Sequence, residues 1–251
     1  MADTQDIKTR WVKIPSQDVE LDAYLAEPTE EGNFPAIVVI QEIFGVNSHI
    51  RDVTERFARL GYVAIAPAIY QRQAPGFETG YTPEDVTLGR QYKTNTDASE
   101  LLNDIAATVH YLQDMPTVRS GAIGSIGFCF GGHVAYLTAT VPGITAVASF
   151  YGAGIPDWCP GGGSPTLTYT ADIQGLIYTF FGTEDASIPP DHVEDIEAAL
   201  QNHHIPHKVF RYEGAQHGFF CDQRASYNAE AAADAWEQVQ YLYAHALKGE
   251  S

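Results

Sequence analysis

The sequence predicts an α/β protein: a mostly parallel central sheet with helices on both faces. Three observations carry that expectation. Short unbroken apolar runs such as Pro35-Ala-Ile-Val-Val-Ile40 have the character of strands buried on both faces. Segments with helical spacing alternate with those runs along the chain. The 251 residues, 45% of them hydrophobic, are enough to bury a large core. No internal repeat and no dividing linker is visible, so one domain over 1–251 is expected.

Taken in order, Trp11 to Ile14 and Val19 to Ala26 read as two strands joined by the turn Pro15-Ser-Gln-Asp18. Pro35 to Ile40 is the first buried strand. His49 to Leu60 has helical spacing and stops at Gly61. Tyr62-Val-Ala-Ile-Ala-Pro67 is a strand, and Tyr70 to Gly89, rich in Pro, Gly and Gln, is expected to be a long irregular loop. Ala98 to Leu112 is a helix with Leu101, Leu102, Ile105, Val109 and Leu112 on one face. Ile123 to Phe128 is a strand, and a helix begins near His133. Gly143 to Phe150 and Leu176 to Phe181 are strands separated by a loop over Ile155 to Thr170. Pro190 to Gln201 is a helix, His207 to Tyr212 the last strand, and Tyr227 to Leu247 the last helix.

The net charge of −18 argues against nucleic acid, whose phosphates need clustered Lys and Arg. It also weakens long-range attraction of an anionic ligand, so local arginines would have to hold one. The three cysteines, Cys129, Cys159 and Cys221, show no metal-ligand spacing and imply no disulfide framework. The stretch Met1-Ala-Asp-Thr-Gln-Asp-Ile-Lys8 has no apolar signal core, and no apolar run approaches a membrane span. The expectation is a cytoplasmic protein, monomeric, without a membrane partner.

The most informative stretch is Gly127-Phe-Cys-Phe-Gly131. It has the form Gly-x-nucleophile-x-Gly, a sharp turn between a strand and a helix, with cysteine at the centre. Glycines two before and two after leave room for the turn and for the strand–helix crossing. The sulfur would project beside the positive end of the helix, which favours thiolate. A cysteine nucleophile needs a base, and the base an orienting acid. Asp185 emerges beyond the strand ending at Phe181, with Glu184 and Asp191 as rivals. His217 follows the last strand. His203, His204 and His207 lack matched partners for a metal, and His133 suits packing. The order nucleophile, acid, histidine is that of the α/β-hydrolase fold. The oxyanion donors expected there are the N–H groups of Phe130 and Ile43, and Glu42 is an unusual carboxylate beside them.

With these pieces in place the sequence resembles the dienelactone hydrolase family. The resemblance rests on Gln41-Glu-Ile-Phe-Gly-Val-Asn-Ser-His-Ile-Arg-Asp52, Gly61-Tyr-Val-Ala-Ile-Ala-Pro67, Arg72-Gln-Ala-Pro75, Gly127-Phe-Cys-Phe-Gly-Gly132, Asp185 and His217-Gly-Phe219. It implies an α/β-hydrolase fold, no metal and no cofactor, and opening of a lactone such as carboxymethylenebutenolide through a Cys129-His217-Asp185 triad. It also implies that Glu42 contacts the resting cysteine and helps to form thiolate. In such enzymes arginines grip the substrate carboxylate, one just before a Tyr-Lys pair and one shortly after the histidine. Here Tyr92-Lys93 is present with Arg90 two positions earlier, and Arg224 follows His217, so Arg72, Arg90, Tyr92 and Arg224 are the candidate substrate contacts. Two other readings stay open: a broad carboxylesterase for small esters, and a non-catalytic small-molecule receptor on the same fold. A redox role for Cys129 is a third; no resolving cysteine lies close to it in sequence, although Cys221, four residues after His217, could approach the site.

Overall fold

The computed structural model describes residues 5–250; residues 1–4 and 251 of the expected 1–251 domain lie outside the described residues. Eight strands form one sheet: β1 (Ile7–Ser16), β2 (Val19–Pro28), β3 (Phe34–Ile40), β4 (Val63–Pro67), β5 (Val118–Phe128), β6 (Ile144–Phe150), β7 (Leu176–Gly182) and β8 (His207–Tyr212). Their order is β1-β2-β4-β3-β5-β6-β7-β8. The first pairings, β1 with β2 and β2 with β4, are antiparallel, and all the others are parallel. The six residues Pro35 to Ile40 are fully covered, as a continuous apolar run predicts.

The helices are α1 (Ser48–Arg59), α2 (Pro83–Thr94), α3 (Ala98–Gln113), α4 (Phe130–Thr138), α5 (Pro190–Asn202) and α6 (Ala229–Tyr243). From β3 the chain crosses through α1 to β4 on one side, then returns through α3 to β5 on the other side of β3. Parallel crossovers are right-handed, so this reversal puts α1 on one face of the sheet and α3 and α4 on the opposite face. Phe57 of α1 packs on Trp236 and Tyr243 of α6 at 5.0 and 5.6 Å between ring centres, which seals the first face. The reversal also opens a crevice at the carboxyl ends of β3 and β5, the place where open α/β sheets bind ligands.

One expected feature is corrected. The segment expected to be loop through Gly89 becomes α2 at Pro83. Its amino end is written in Thr82-Pro-Glu-Asp85: Thr82 accepts from the Asp85 N–H, Asp85 accepts from the Thr82 N–H, and Pro83 sits at the first helical position. Only Gly89 of this helix is buried, so no apolar stripe announces it. Gly89 is required by space, since a Cβ there would lie 2.4 Å from the Ile43 carbonyl oxygen. The loop after β6 likewise contains a short 3-10 turn over Thr166–Asp172.

That turn is tied to α4 through His133. Its ring is fully buried, with Nδ1 2.9 Å from the Ala153 carbonyl oxygen and Nε2 2.7 Å from Thr166 Oγ1. Burial drives its pKa down to about 4, against the pull of the Ala153 carbonyl. The unfolded chain takes up a proton near pH 6.5, whereas the folded chain resists until about pH 4. Protons therefore favour unfolding across that window, and stability rises with pH through it. Wild type is expected to lose about 3 kcal/mol between pH 6.5 and 4 that a His133→Gln variant does not lose. Urea midpoints for both proteins at pH 7, 5 and 4 check this; parallel pH slopes would refute it.

Candidate active site

Strand β5 ends at Phe128, and α4 starts two residues later. Cys129 lies between them with φ 57° and ψ −117°, a left-handed backbone that a residue with a Cβ rarely adopts. The turn is held by the Cys129 N–H, which donates to the Phe150 carbonyl at 3.0 Å. Its tightness explains the flanking glycines. A Cβ on Gly127 would lie 1.9 Å from the Gly131 carbonyl oxygen, and one on Gly131 would lie 2.4 Å from that of Ile40.

The expected acid and base arrive from the adjoining strand ends. His217 Nε2 lies 3.1 Å from Cys129 Sγ, and His217 Nδ1 lies 2.7 Å from Asp185 Oδ2. Asp185 Oδ1 accepts from the Ser187 N–H at 2.8 Å, which fixes the carboxylate. Asp191 lies in the first turn of α5 instead, where its Oδ1 accepts from the adjacent His192 N–H at 3.1 Å. The Tyr151 ring stands edge-on to His217 at 5.2 Å, at a second left-handed position, φ 37°. Burial works against a charge on His217. The Cys129 sulfur and the hydrogen bonds to Asp185 and Cys129 outweigh it and push the imidazole pKa up to about 10. Among the described residues, neither the Phe130 N–H nor the Ile43 N–H has a protein acceptor, and both residues line the same cleft.

That cleft has a volume of about 360 Å³. Ile43, Phe44, Val86, Phe130 and Trp158 supply its apolar wall, and Arg90, Lys93 and Arg224 supply cations around the sulfur. A chain of net charge −18 thus places three basic groups at one opening. Arg224 Nη1 donates to Glu42 Oε1 at 2.9 Å, and its guanidinium stacks near Phe44 and Tyr81. Lys93 Nζ sits 4.6 Å from the Trp158 ring centre, and burial lowers its pKa against the pull of Cys129.

Several expectations are altered by these contacts. Glu42 makes no hydrogen bond to Cys129. It is fully buried, and Arg224 takes one of its oxygens because a buried carboxylate needs a cation more than it needs a thiol. Arg72 does not line the cleft. It is paired with buried Asp104, which also accepts from Ser16 Oγ at 2.6 Å. Tyr92 also turns away, packing edge-on to Phe77 at 4.7 Å, while its carbonyl accepts from Gln73. Arg90 and Arg224 do line the cleft. Lys93 and Trp158 were not singled out from the sequence as lining the site. The Tyr92-Lys93 pair did mark the right segment; nothing marks Trp158, which reaches the cleft from the long loop after β6. Among the described residues His203, His204 and His207 gather into no cluster. Among those residues no helix is long and apolar enough to cross a membrane.

Comparison with known proteins agrees with this architecture. A Synechocystis protein provisionally named carboxymethylenebutenolidase is 60% identical over 245 residues, covering 98% of this chain and all of the relative. A Bradyrhizobium protein provisionally named 2-oxo-3-(5-oxofuran-2-ylidene)propanoate lactonase is 30% identical over 94% of both chains. Among solved structures, a provisionally named dienelactone hydrolase from Klebsiella pneumoniae superposes with a TM-score of 0.87 at 32% identity, over 96% of this chain and 99% of that one. The model of the dienelactone hydrolase family matches residues 21–247. Fold, site architecture and sequence together place this chain in the dienelactone hydrolase family.

Proposed function

We propose that the protein hydrolyses a small ester or enol lactone that carries a carboxylate, by covalent catalysis at Cys129. The observation that carries this reading is the unbroken chain from Asp185 through His217 to the sulfur, 2.7 and 3.1 Å, opening into a cleft ringed by cations. The named relatives support the reaction class.

In this mechanism the pair is a thiolate and an imidazolium. The thiolate attacks the carbonyl carbon, and the oxyanion forms against the Phe130 and Ile43 N–H groups, each worth about 3 kcal/mol of barrier. Collapse of the tetrahedral adduct breaks the carbon–oxygen bond of the ring or ester, and His217 donates its proton to the leaving oxygen. An acyl-enzyme remains on Cys129. His217, now neutral and oriented by Asp185, takes a proton from water, the hydroxide attacks the thioester, and the acid leaves. An enolate leaves from sulfur chemistry more readily than an amine, which favours lactone over peptide.

Arg224 is the carboxylate clamp in this reading, with Arg90 and Lys93 beside it. A substrate carboxylate competes with Glu42 for Arg224, whose guanidinium lies 2.9 Å from Glu42 Oε1. Removing Arg224 alone would strand a buried carboxylate, so the test compares Glu42→Gln with Glu42→Gln/Arg224→Gln. The second is expected to raise KM for a carboxylate-bearing dienelactone by about 10–100-fold, and KM for a neutral aryl ester by less than about 3-fold. Equal effects on both substrates would favour the broad-carboxylesterase reading, which the apolar wall of Phe44, Val86 and Trp158 also suits.

A further inference from the structure

One group of side chains behind the cleft has no role in that mechanism as a group. Glu42, His49 and Cys221 are all buried, and one donor atom from each lies within 4.8 Å of the others. His49 is the second residue of α1 and is 1% exposed, yet neither ring nitrogen has a hydrogen-bond partner. Its ring is held edge-on between Phe128 and Phe220, at 5.6 and 6.3 Å. Glu42 uses Oε1 for Arg224, and its Oε2 has no partner. Cys221 has only a long contact, 3.4 Å from Sγ to the Tyr81 hydroxyl. Unmet buried polar atoms are costly, about 1–3 kcal/mol each, and His49 and Glu42 both carry them at this group.

We propose that Glu42, His49 and Cys221 form a buried site for one zinc ion. Thiolate, imidazole and carboxylate together are the donor set of zinc; magnesium and calcium would require oxygen ligands throughout. Tetrahedral zinc with ordinary bond lengths holds its donors about 3.3–3.6 Å apart, so donors that lie within 4.8 Å of one another have to close by no more than about 1.5 Å. The Cys221 thiol gives its proton to solvent, Glu42 is shared between the ion and Arg224, and a water that has also lost its proton to solvent takes the fourth position as hydroxide, so that thiolate, carboxylate and hydroxide balance the ion and the guanidinium. The site lies outside the Cys129–His217 pair. It shares Glu42 with Arg224, so an ion there also changes how far the Arg224 charge is neutralised at the cleft. The inference does not depend on the substrate or the mechanism proposed above.

The test is a cobalt(II) titration of the full chain, stripped of metal with a chelator, in wild type and in Cys129→Ser. The Cys129→Ser background keeps the catalytic thiol from supplying the sulfur. One cobalt ion per chain is expected, with a near-ultraviolet thiolate-to-cobalt band and intense tetrahedral visible bands, displaced by one equivalent of zinc. Adding Cys221→Ser is expected to abolish the thiolate band and weaken zinc binding by at least about 100-fold; His49→Gln is expected to weaken it by at least about 10-fold with the band retained. Melting temperatures establish that these variants fold. The proposal fails if Cys129→Ser binds zinc no tighter than about 100 µM, if cobalt binds without the thiolate band, or if the band survives Cys221→Ser. The first two of these outcomes need no ligand variant, so a misfolded variant cannot shield the idea.

Discussion

Cys129→Ala is expected to lower kcat/KM for an activated ester by about 10⁴–10⁶-fold, leaving whatever rate the oxyanion donors and binding alone sustain. The size follows from the geometry. Among the described residues only the Cys129 sulfur stands 3.1 Å from His217 Nε2, and it stands there because the backbone at 129 is left-handed. Alanine keeps the Cβ and so keeps whatever strain that backbone holds. The variant is therefore expected to unfold within about 1 kcal/mol of wild type, since the sulfur is half-buried and leaves little cavity. Urea unfolding and steady-state turnover on the same preparations separate the two effects. Turnover within tenfold of wild type would remove Cys129 from the mechanism, and His217 and Asp185 would lose their roles with it. A large fall in stability at full residual activity would mark the residue as packing alone.

Gly127→Ala is expected to destabilise the protein by about 3 kcal/mol or more, with loss of activity in whatever folds. The added Cβ would lie 1.9 Å from the Gly131 carbonyl oxygen and 3.1 Å from the Ala135 Cβ. The first neighbour is backbone, so no rotamer change relieves it, and α4 has to move away from β5. Overpacking of cores commonly costs about 1–3 kcal/mol where side chains can yield; here they cannot. Moving α4 also moves the Phe130 N–H relative to the sulfur, so the oxyanion position is lost together with stability. The unfolding midpoint gives the first effect and turnover the second. A variant as stable as wild type within about 1 kcal/mol would show that β5 and α4 do not cross as tightly as described.

Much of this molecule was legible from residues alone. The strands announce themselves because a strand buried on both faces has to be apolar throughout, as Pro35 to Ile40 is. The turn at Gly127-Phe-Cys-Phe-Gly131 is equally local: two glycines and a nucleophile within five residues encode both the bend and the space around it. The order Cys129, Asp185, His217 followed from the strands that precede each of them. Where local coding takes another form, sequence reading fails. Helix α2 was expected as loop because Thr82, Pro83 and Asp85 start it without an apolar stripe to extend the signal.

The charged partners belong to a different class. Glu42 was expected on Cys129 and is found on Arg224, 182 residues away in the chain. Arg72 was expected at the substrate and is found on Asp104. Lys93 and Trp158 meet at the cleft from segments that share no sequence signal. The sequence alone determined which segments become strands and helices and which residues carry reactive groups, because spacing, caps and glycines act over a few positions. Only the tertiary structure decided which charges meet, because a buried carboxylate takes the nearest cation that folding brings to it, and that proximity is set by how loops converge at the carboxyl edge of the sheet.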